Sequence, residues 1–158
     1  MPTNLLFLSY GNLLRGDDAA GLELARRVCA ALGNAQFSIR LLETQQLLPE
    51  LINEISDPSL AALFFFDCRV ERTGDEIEVS TLSIAIGDVQ PATLGHHLTP
   101  QTLLAIAVAL YGRLPPAWLV TIPGYNFGVG EGLSEEVQQL LATAADIAQQ
   151  VMMLCRET

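Results

Sequence analysis

Two short segments of this 158-residue chain carry apolar residues at both odd and even positions, and they constrain the fold more than any other feature. The first covers about residues 4–10, and the second covers residues 60–66, between Pro58 and Asp67. A strand with one face in water alternates polar and apolar residues, whereas a strand covered by helices on both faces is apolar throughout. Both segments therefore predict central strands of a parallel sheet, and Asp67 stands at the carboxyl end of the second.

The rest of the chain alternates between helix and strand patterns. Apolar residues at helical spacing predict helices over residues 18–32, 47–55, 99–111 and 134–156. Thr99 and Pro100 are typical of the start of the third helix, and Gly112 is typical of its end. Further strands are predicted over residues 37–42, 76–84 and 117–122, and the alternation within 76–84 is typical of an edge strand, for which antiparallel pairing is open. This order predicts one doubly wound α/β domain over residues 1–158, with a mainly parallel sheet and helices on both faces.

The charge balance and the cysteines argue against several classes of function. Eight Lys and Arg against 18 Asp and Glu give a net charge of -10, which repels nucleic acid and anionic membrane surfaces. The three cysteines are widely spaced and form no CxxC, so we expect them to form neither a disulfide framework nor a zinc site. The first residues lack the basic region of a signal peptide, and no apolar run approaches the roughly 20 residues of a membrane span. We expect a cytoplasmic protein whose partners include neither nucleic acid nor membrane.

The first predicted strand runs directly into a turn and two carboxylates. Gly11 and Asn12 end the strand, and Asp17 and Asp18 open the first predicted helix. In parallel α/β sheets, ligands bind beyond the carboxyl ends of the strands. Helix capping and the helix dipole explain one aspartate at such a position better than two, so capping and a functional site stand here as alternatives.

Asp18, Asp67 and His97 all fall near strand ends or helix starts, and we expect them to meet at one edge of the sheet. Two carboxylates and one imidazole suit a divalent transition metal such as nickel or zinc, and three protein ligands leave positions for water or substrate. Each residue also has a simpler interpretation. His96 and His97 could cap or solvate the start of the third helix. Asp67 could accept backbone N–H bonds in a turn.

Cys68 and the glycine-rich segment 124–132 are weaker candidates for the site. Cys68 could be a nucleophile, but its neighbours favour a small buried thiol, and Arg69 is the only basic residue beside it. The segment 124–132, read as GYNFGVGEG, could approach a ligand closely or simply turn the chain. It lacks the GK[ST] end of a phosphate loop, so phosphate binding is not predicted.

Several motifs together match the pattern of one known family. They are Gly11, Asn12, Leu13, Leu14, Gly16, Asp17, Asp18 and Gly21, then Asp67, a histidine before the third helix, and the late segment GVGEGLSEEV. With these in place, the chain resembles the hydrogenase maturation proteases, the endopeptidases that trim the C-terminal extension of nickel-iron hydrogenase large subunits. The resemblance implies that Asp18, Asp67 and His97 contact nickel already loaded in the precursor, so that cleavage checks nickel insertion. It also favours His97 over His96, by counting back from residues 112–115. For the nucleophile we expect a water activated near the metal.

One departure from the family and three competing functions bear on this interpretation. The family often has a glycine-rich DGGT-like segment after its second strand, whereas residues 43–50 read ETQQLLPE here, and this implies a role for the loop in choosing the hydrogenase.

A non-catalytic nickel-binding maturation factor could use the same three ligands. Peptidyl-tRNA hydrolases also begin with a strand and a Gly-Asn turn, but the chain lacks their histidine segment and its charge does not suit RNA. The glycines of a dinucleotide-binding dehydrogenase are not in place.

Overall fold

Five strands form one sheet in the computed structural model, which describes residues 1–33, 36–71, 73–84 and 98–157. The strands are β1 (Thr3–Tyr10), β2 (Phe37–Thr44), β3 (Ala62–Arg69), β4 (Glu78–Thr81) and β5 (Ala117–Pro123). Their order across the sheet is β2-β1-β3-β5-β4. The first three neighbouring pairs are parallel, and β4 pairs antiparallel with β5 at the edge, as the alternating segment suggested.

Helices cover both faces of the sheet. They are α1 (Ala20–Leu32), α2 (Leu51–Ile55), α3 (Pro100–Tyr111), α4 (Glu135–Leu141) and α5 (Ala144–Arg156). Along β3, Phe64 and Phe66 pack with α1, α4 and α5, whereas Leu63 and Phe65 pack with α2 and α3. This arrangement confirms the predicted mainly parallel α/β fold, and it explains why the central strands are apolar at consecutive positions.

The direction of chain crossing reverses between β1 and β3. From β1 the chain crosses to β2 on one side, and it then returns to place β3 on the other side of β1. A crevice forms at the carboxyl ends of the strands where such a reversal occurs, and ligands bind there in doubly wound sheets. Ser9 pairs with Phe66, so the residues that follow them, Tyr10 and Asp67, end up at the same edge of the sheet.

Several element boundaries differ from the sequence prediction, and three of them lie in segments that lead to the carboxyl edge of the sheet. A 3-10 turn (Gly16–Ala19) precedes α1, where a single helix was predicted from residue 18. The helix predicted from residue 47 begins only at Leu51, because Leu51 and Ile52 donate to carbonyls three residues back and so close tight turns. β3 extends through Asp67 to Arg69, so this carboxylate lies within the strand.

The predicted final helix over residues 134–156 is broken between α4 and α5. The hydroxyl of Thr143 donates to the carbonyl oxygen of Leu140 at 2.7 Å, and its N–H donates to the same atom at 2.9 Å. Thr side chains that bond to nearby backbone offer it an alternative to the helical hydrogen bond, and this interrupts the helix. In the part of the chain that the structure describes, no helix has the length and apolar character that crossing a bilayer requires.

Candidate active site

A cavity of about 660 Å³ opens at the crevice between β1 and β3. Its walls come from the turn after β1, the loop after β2, the end of β3, the start of α3 and the loop after β5. Asp18 and Asp67 both line this cavity, although 49 positions separate them in the sequence. Among the residues that the structure describes, the cavity therefore contains two of the three predicted metal ligands.

Two glycines allow the two carboxylates to approach each other. A Cβ atom at Gly11 would overlap the backbone carbonyl oxygen of Asp18, so only glycine lets the strand end pass that close. A Cβ atom at Gly21 would lie 2.9 Å from the Cα of Asp67, which places the first turn of α1 directly on β3. The glycines in the motif therefore position Asp18 and Asp67 at one edge.

The carboxylate of Asp18 is held by the turn and not by the helix. Its Oδ2 accepts a hydrogen bond from the backbone N–H of Asn12 at 2.7 Å, and the residue is partly exposed to the cavity. The N-cap positions of the 3-10 turn and of α1 are Arg15 and Ala19, and neither helix start has a side-chain cap. Capping therefore does not explain either aspartate.

Asp67 has an unusual protonation equilibrium. Burial raises the pKa of Asp67 to about 6, against the lowering effect of hydrogen bonds from the backbone of Cys68 and the side chain of Tyr10, and the negative charge of Asp18 raises it further. The bond from the Cys68 N–H to Oδ1 is 2.7 Å long. A carboxylate in a cavity with a pKa near neutrality is typical of functional sites, because it exchanges a proton at physiological pH.

Tyr10 is a residue of the site that the sequence pattern did not single out. It lies at the end of β1 and lines the cavity. Burial, together with the charge of Asp67 and a hydrogen bond to it, raises the pKa of the Tyr10 phenol far above its usual range, so the phenol stays protonated. Its position as the last residue of a central strand was the available signal, because such residues reach the binding edge of the sheet.

Asp17 has a structural role in the loop after β5. It is fully buried, and its Oδ2 accepts from the backbone N–H groups of Tyr125 and Asn126 at 2.8 and 2.9 Å and from the Ser134 hydroxyl at 2.7 Å. Its Oδ1 accepts from the Ser134 N–H at 2.8 Å. Burial alone would raise the pKa of Asp17, but these hydrogen bonds outweigh it and lower the pKa. The glycine-rich segment 124–132 is thus fixed by Asp17, and its Phe127 lines the cavity.

Cys68 does not have the properties of a nucleophile. Burial and the negative charges of Asp67, Asp18 and Asp17 raise the pKa of the thiol well above its usual range, so it stays protonated. Its Sγ lies 3.8 Å from the carbonyl oxygen of Arg69. The guanidinium of Arg69 donates instead to backbone carbonyls and to a threonine hydroxyl on neighbouring segments.

No family model matches the sequence, and no curated protein sequence matches it. Solved structures do match. The [NiFe] hydrogenase maturation protease HycI from Thermococcus kodakarensis superposes with a TM-score of 0.64 at 17% identity, over 98% of this chain and 93% of that one. The hydrogenase maturating endopeptidase HybD from Escherichia coli gives 0.63 at 21% identity, over 98% and 93%. HybD from Thermococcus kodakarensis, also a [NiFe] hydrogenase maturation protease, gives 0.64 at 20%, over 94% and 99%.

The chain has the fold of the hydrogenase maturation proteases. The matches span nearly the whole chain, and this confirms the fold that the sequence resemblance implied. At identities of 17–21% the likeness establishes the fold, and the chemistry has to be argued from the residues of the cavity.

His97, the third residue of the predicted ligand set, and its neighbour His96 lie outside the described residues. Among the residues that the structure does describe, no group of three or more His, Cys, Asp and Glu side chains is placed to hold a metal ion. The residues that follow His97, which are Leu98, Thr99 and Pro100, line the same cavity as Asp18 and Asp67. The assignment of His97 to the site stays a prediction.

Proposed function

We propose that this chain is a cytoplasmic endopeptidase that removes the C-terminal extension of a nickel-iron hydrogenase large-subunit precursor after nickel has been inserted. The observation that carries the proposal is the pair of carboxylates, Asp18 and Asp67, in one cavity at the β1/β3 crevice. The cavity lies on a fold whose solved members include proteins named as hydrogenase maturation proteases.

In this proposal nickel enters the site as part of the precursor, bound to the substrate protein. Asp18, Asp67 and His97 would contact it, because carboxylate and imidazole groups are suitable ligands for nickel and two or three of them leave positions for the precursor's own ligands. The chain that follows His97 lines the cavity at Leu98 and Thr99, and this supports its inclusion. A precursor without nickel would lack this anchor, so cleavage would depend on completed insertion.

Water is the proposed nucleophile. The thiol that lies nearest the carboxylates, Cys68, is buried and protonated, and it is already directed to a backbone carbonyl. Water attack forms a bond between the water oxygen and the acyl carbon, the C–N bond breaks, and the departing nitrogen gains a proton. A carboxylate oxygen of Asp18 or Asp67 that does not contact the nickel would accept the proton from the water.

The decisive experiment incubates the purified protein with a nickel-loaded precursor and, separately, with the same precursor free of nickel, and follows the mass of each. We expect loss of a C-terminal peptide only from the nickel-loaded precursor. The Asp67→Ala variant, checked for folding by circular dichroism, serves as the negative control. Cleavage of both precursors would remove nickel from the mechanism, and cleavage of neither would favour a non-catalytic nickel-binding maturation factor.

A further inference from the structure

The turn after β1 places an unused hydrogen-bond donor beside the two carboxylates. Asn12 lines the cavity together with Asp18 and Asp67, and it is partly buried. Its Oδ1 accepts a hydrogen bond from the backbone N–H of Leu14 at 2.9 Å, which fixes the plane of the amide. Within the described segments of the chain, no atom accepts a hydrogen bond from Nδ2 of Asn12. The amide therefore has two N–H groups to offer a ligand in the cavity.

We propose that Asn12 is a catalytic residue whose Nδ2–H donates a hydrogen bond to the carbonyl oxygen of the scissile peptide bond. The inference rests on the proposed function, which supplies the reaction. As the water oxygen bonds to the acyl carbon, negative charge develops on the carbonyl oxygen before the C–N bond breaks. A donor already in position stabilises this charge without reorganising. Carboxylates cannot fill this role when ionised, because they only accept hydrogen bonds.

Other side-chain donors around the cavity are engaged or must first be ordered. The Tyr10 phenol interacts with the carboxylate of Asp67, and the Thr99 hydroxyl accepts from the Thr102 N–H and shares a hydrogen bond with the Thr102 hydroxyl. Arg15, Gln45 and Gln46 line the cavity, but they are exposed and have more rotatable bonds. Ordering such side chains costs more conformational entropy than using an amide that the backbone already holds.

The backbone also fixes Asn12 relative to Asp18. Its N–H donates to Oδ2 of Asp18 at 2.7 Å, and Gly11 packs against the carbonyl oxygen of the same residue. Donor and carboxylate thus belong to one tight turn. A carboxylate that binds metal or water and an amide that binds the carbonyl oxygen are complementary parts of a hydrolytic site.

Asn126 offers a matched control within the same protein. Its Oδ1 accepts from the backbone N–H of Gly128 at 2.9 Å, and its own N–H donates to Oδ2 of Asp17 at 2.9 Å. Asn12 and Asn126 therefore make the same pair of hydrogen bonds: the backbone N–H donates to an aspartate of the same motif, and Oδ1 accepts from the N–H two residues further along the chain. Asn126, however, is not among the residues that line the cavity.

The test compares Asn12→Asp with Asn126→Asp in the full-length protein, with the nickel-loaded precursor as substrate. Both changes keep the acceptor oxygen and the size of the side chain, and both replace the N–H donors with a negative charge. For Asn12→Asp we expect kcat to fall about 100-fold with little change in KM, because the bond strengthens in the transition state. For Asn126→Asp we expect processing within about 3-fold of the wild type, because this side chain does not reach the substrate.

Asn12→Ser separates the loss of the donor from the added charge. The serine hydroxyl can still accept from the Leu14 N–H, but it is too short to replace the amide donor, so we expect the same fall in kcat. Equal processing by Asn12→Asp and Asn126→Asp, or an unimpaired Asn12→Ser, would overturn the inference while leaving the proposed function in place. A wild-type protein that cleaves no precursor would overturn the proposed function, and this inference with it.

Discussion

Asp17 and Asp67 are carboxylates at the same edge of the sheet, but the protein surrounds them in opposite ways. Asp17 is fully buried and accepts four hydrogen bonds from the loop after β5 and the start of α4. Asp67 faces the cavity, where one backbone N–H and the side chain of Tyr10 interact with it. Four hydrogen bonds are about as many as a carboxylate accepts, whereas Asp67 has acceptor positions left open for a ligand.

This difference separates a carboxylate that holds the fold from one that can meet a substrate. At Asp17 the pKa is lowered, so its contribution to stability is present at neutral pH and is lost as the pH falls through the acidic range. At Asp67 the pKa is raised from 3.8 to about 6, so ionisation costs stability: the cost is absent below about pH 4 and is complete once the pH has risen through about 6. The fold stabilises the ionised Asp17, whereas it holds Asp67 in a state that costs stability when ionised.

We expect the strongest effect on cleavage of the precursor, when a predicted ligand of the cavity is replaced. In Asp67→Ala, Asp18→Ala or His97→Ala, we expect cleavage of the nickel-loaded precursor to fall by more than about 100-fold, because several kcal/mol of transition-state stabilisation would be lost. Cys68→Ser is the matched control and should process at the wild-type rate, since the neighbouring thiol is buried and protonated. Mass spectrometry of the precursor measures both. Full activity in a folded Asp67→Ala protein would contradict the assignment of the site.

The second effect is on the stability of the fold, when the buried Asp17 is replaced. Asp17→Asn should lower the free energy of unfolding by about 3 kcal/mol, because the amide keeps only one acceptor oxygen, so at least the partly buried Ser134 N–H would face an amide nitrogen, and the remaining hydrogen bonds would lose the carboxylate charge. Urea denaturation at pH 7 measures this. A change below about 0.5 kcal/mol, the size of an ordinary surface substitution, would show that Asp17 does not hold the loop.

Asp67→Asn should have the opposite effect on stability. Since the pKa of Asp67 rises from 3.8 to about 6 on folding, ionisation at pH 8 costs stability, and the uncharged amide should be more stable by about 1 to 3 kcal/mol. Below about pH 4, where the native carboxyl is protonated in both the folded and the unfolded states, the two proteins should be nearly equal. Denaturation curves across this range give the difference. A variant less stable than the wild type at pH 8 would contradict the raised pKa.

The smallest effect on stability is expected at the rim of the cavity. Gln45 and Gln46 are exposed and line the cavity, so replacing both with Ala should change the free energy of unfolding by less than about 0.5 kcal/mol. It should change the relative rates at which several nickel-loaded precursors are processed, because this loop departs from the family pattern. Competition between precursors in one reaction measures the ratio. Unchanged ratios would show that specificity lies elsewhere.

Local signals predicted some elements well. The bounds of α3 follow directly from the sequence, because the Thr99 hydroxyl accepts from the Thr102 N–H at 3.1 Å and Gly112 takes the left-handed conformation with φ 73°. The break between α4 and α5 was missed, because Thr143 is compatible with a helix until its side chain bonds to a nearby carbonyl. The late start of α2 was missed for a similar reason, since tight turns compete with helix over residues 48–52.

The apolar pattern of the chain is enough to predict the fold class and the edge of the sheet at which Asp18 and Asp67 lie. Consecutive apolar positions require burial on both faces, burial on both faces requires helices on each side, and parallel strands then bring their carboxyl ends together. The role of Asp17, the neighbour of the predicted site residue Asp18, came only from the tertiary structure. Asp17 accepts from donors 108 to 117 positions away, and no local pattern contains contacts between segments so far apart in the chain.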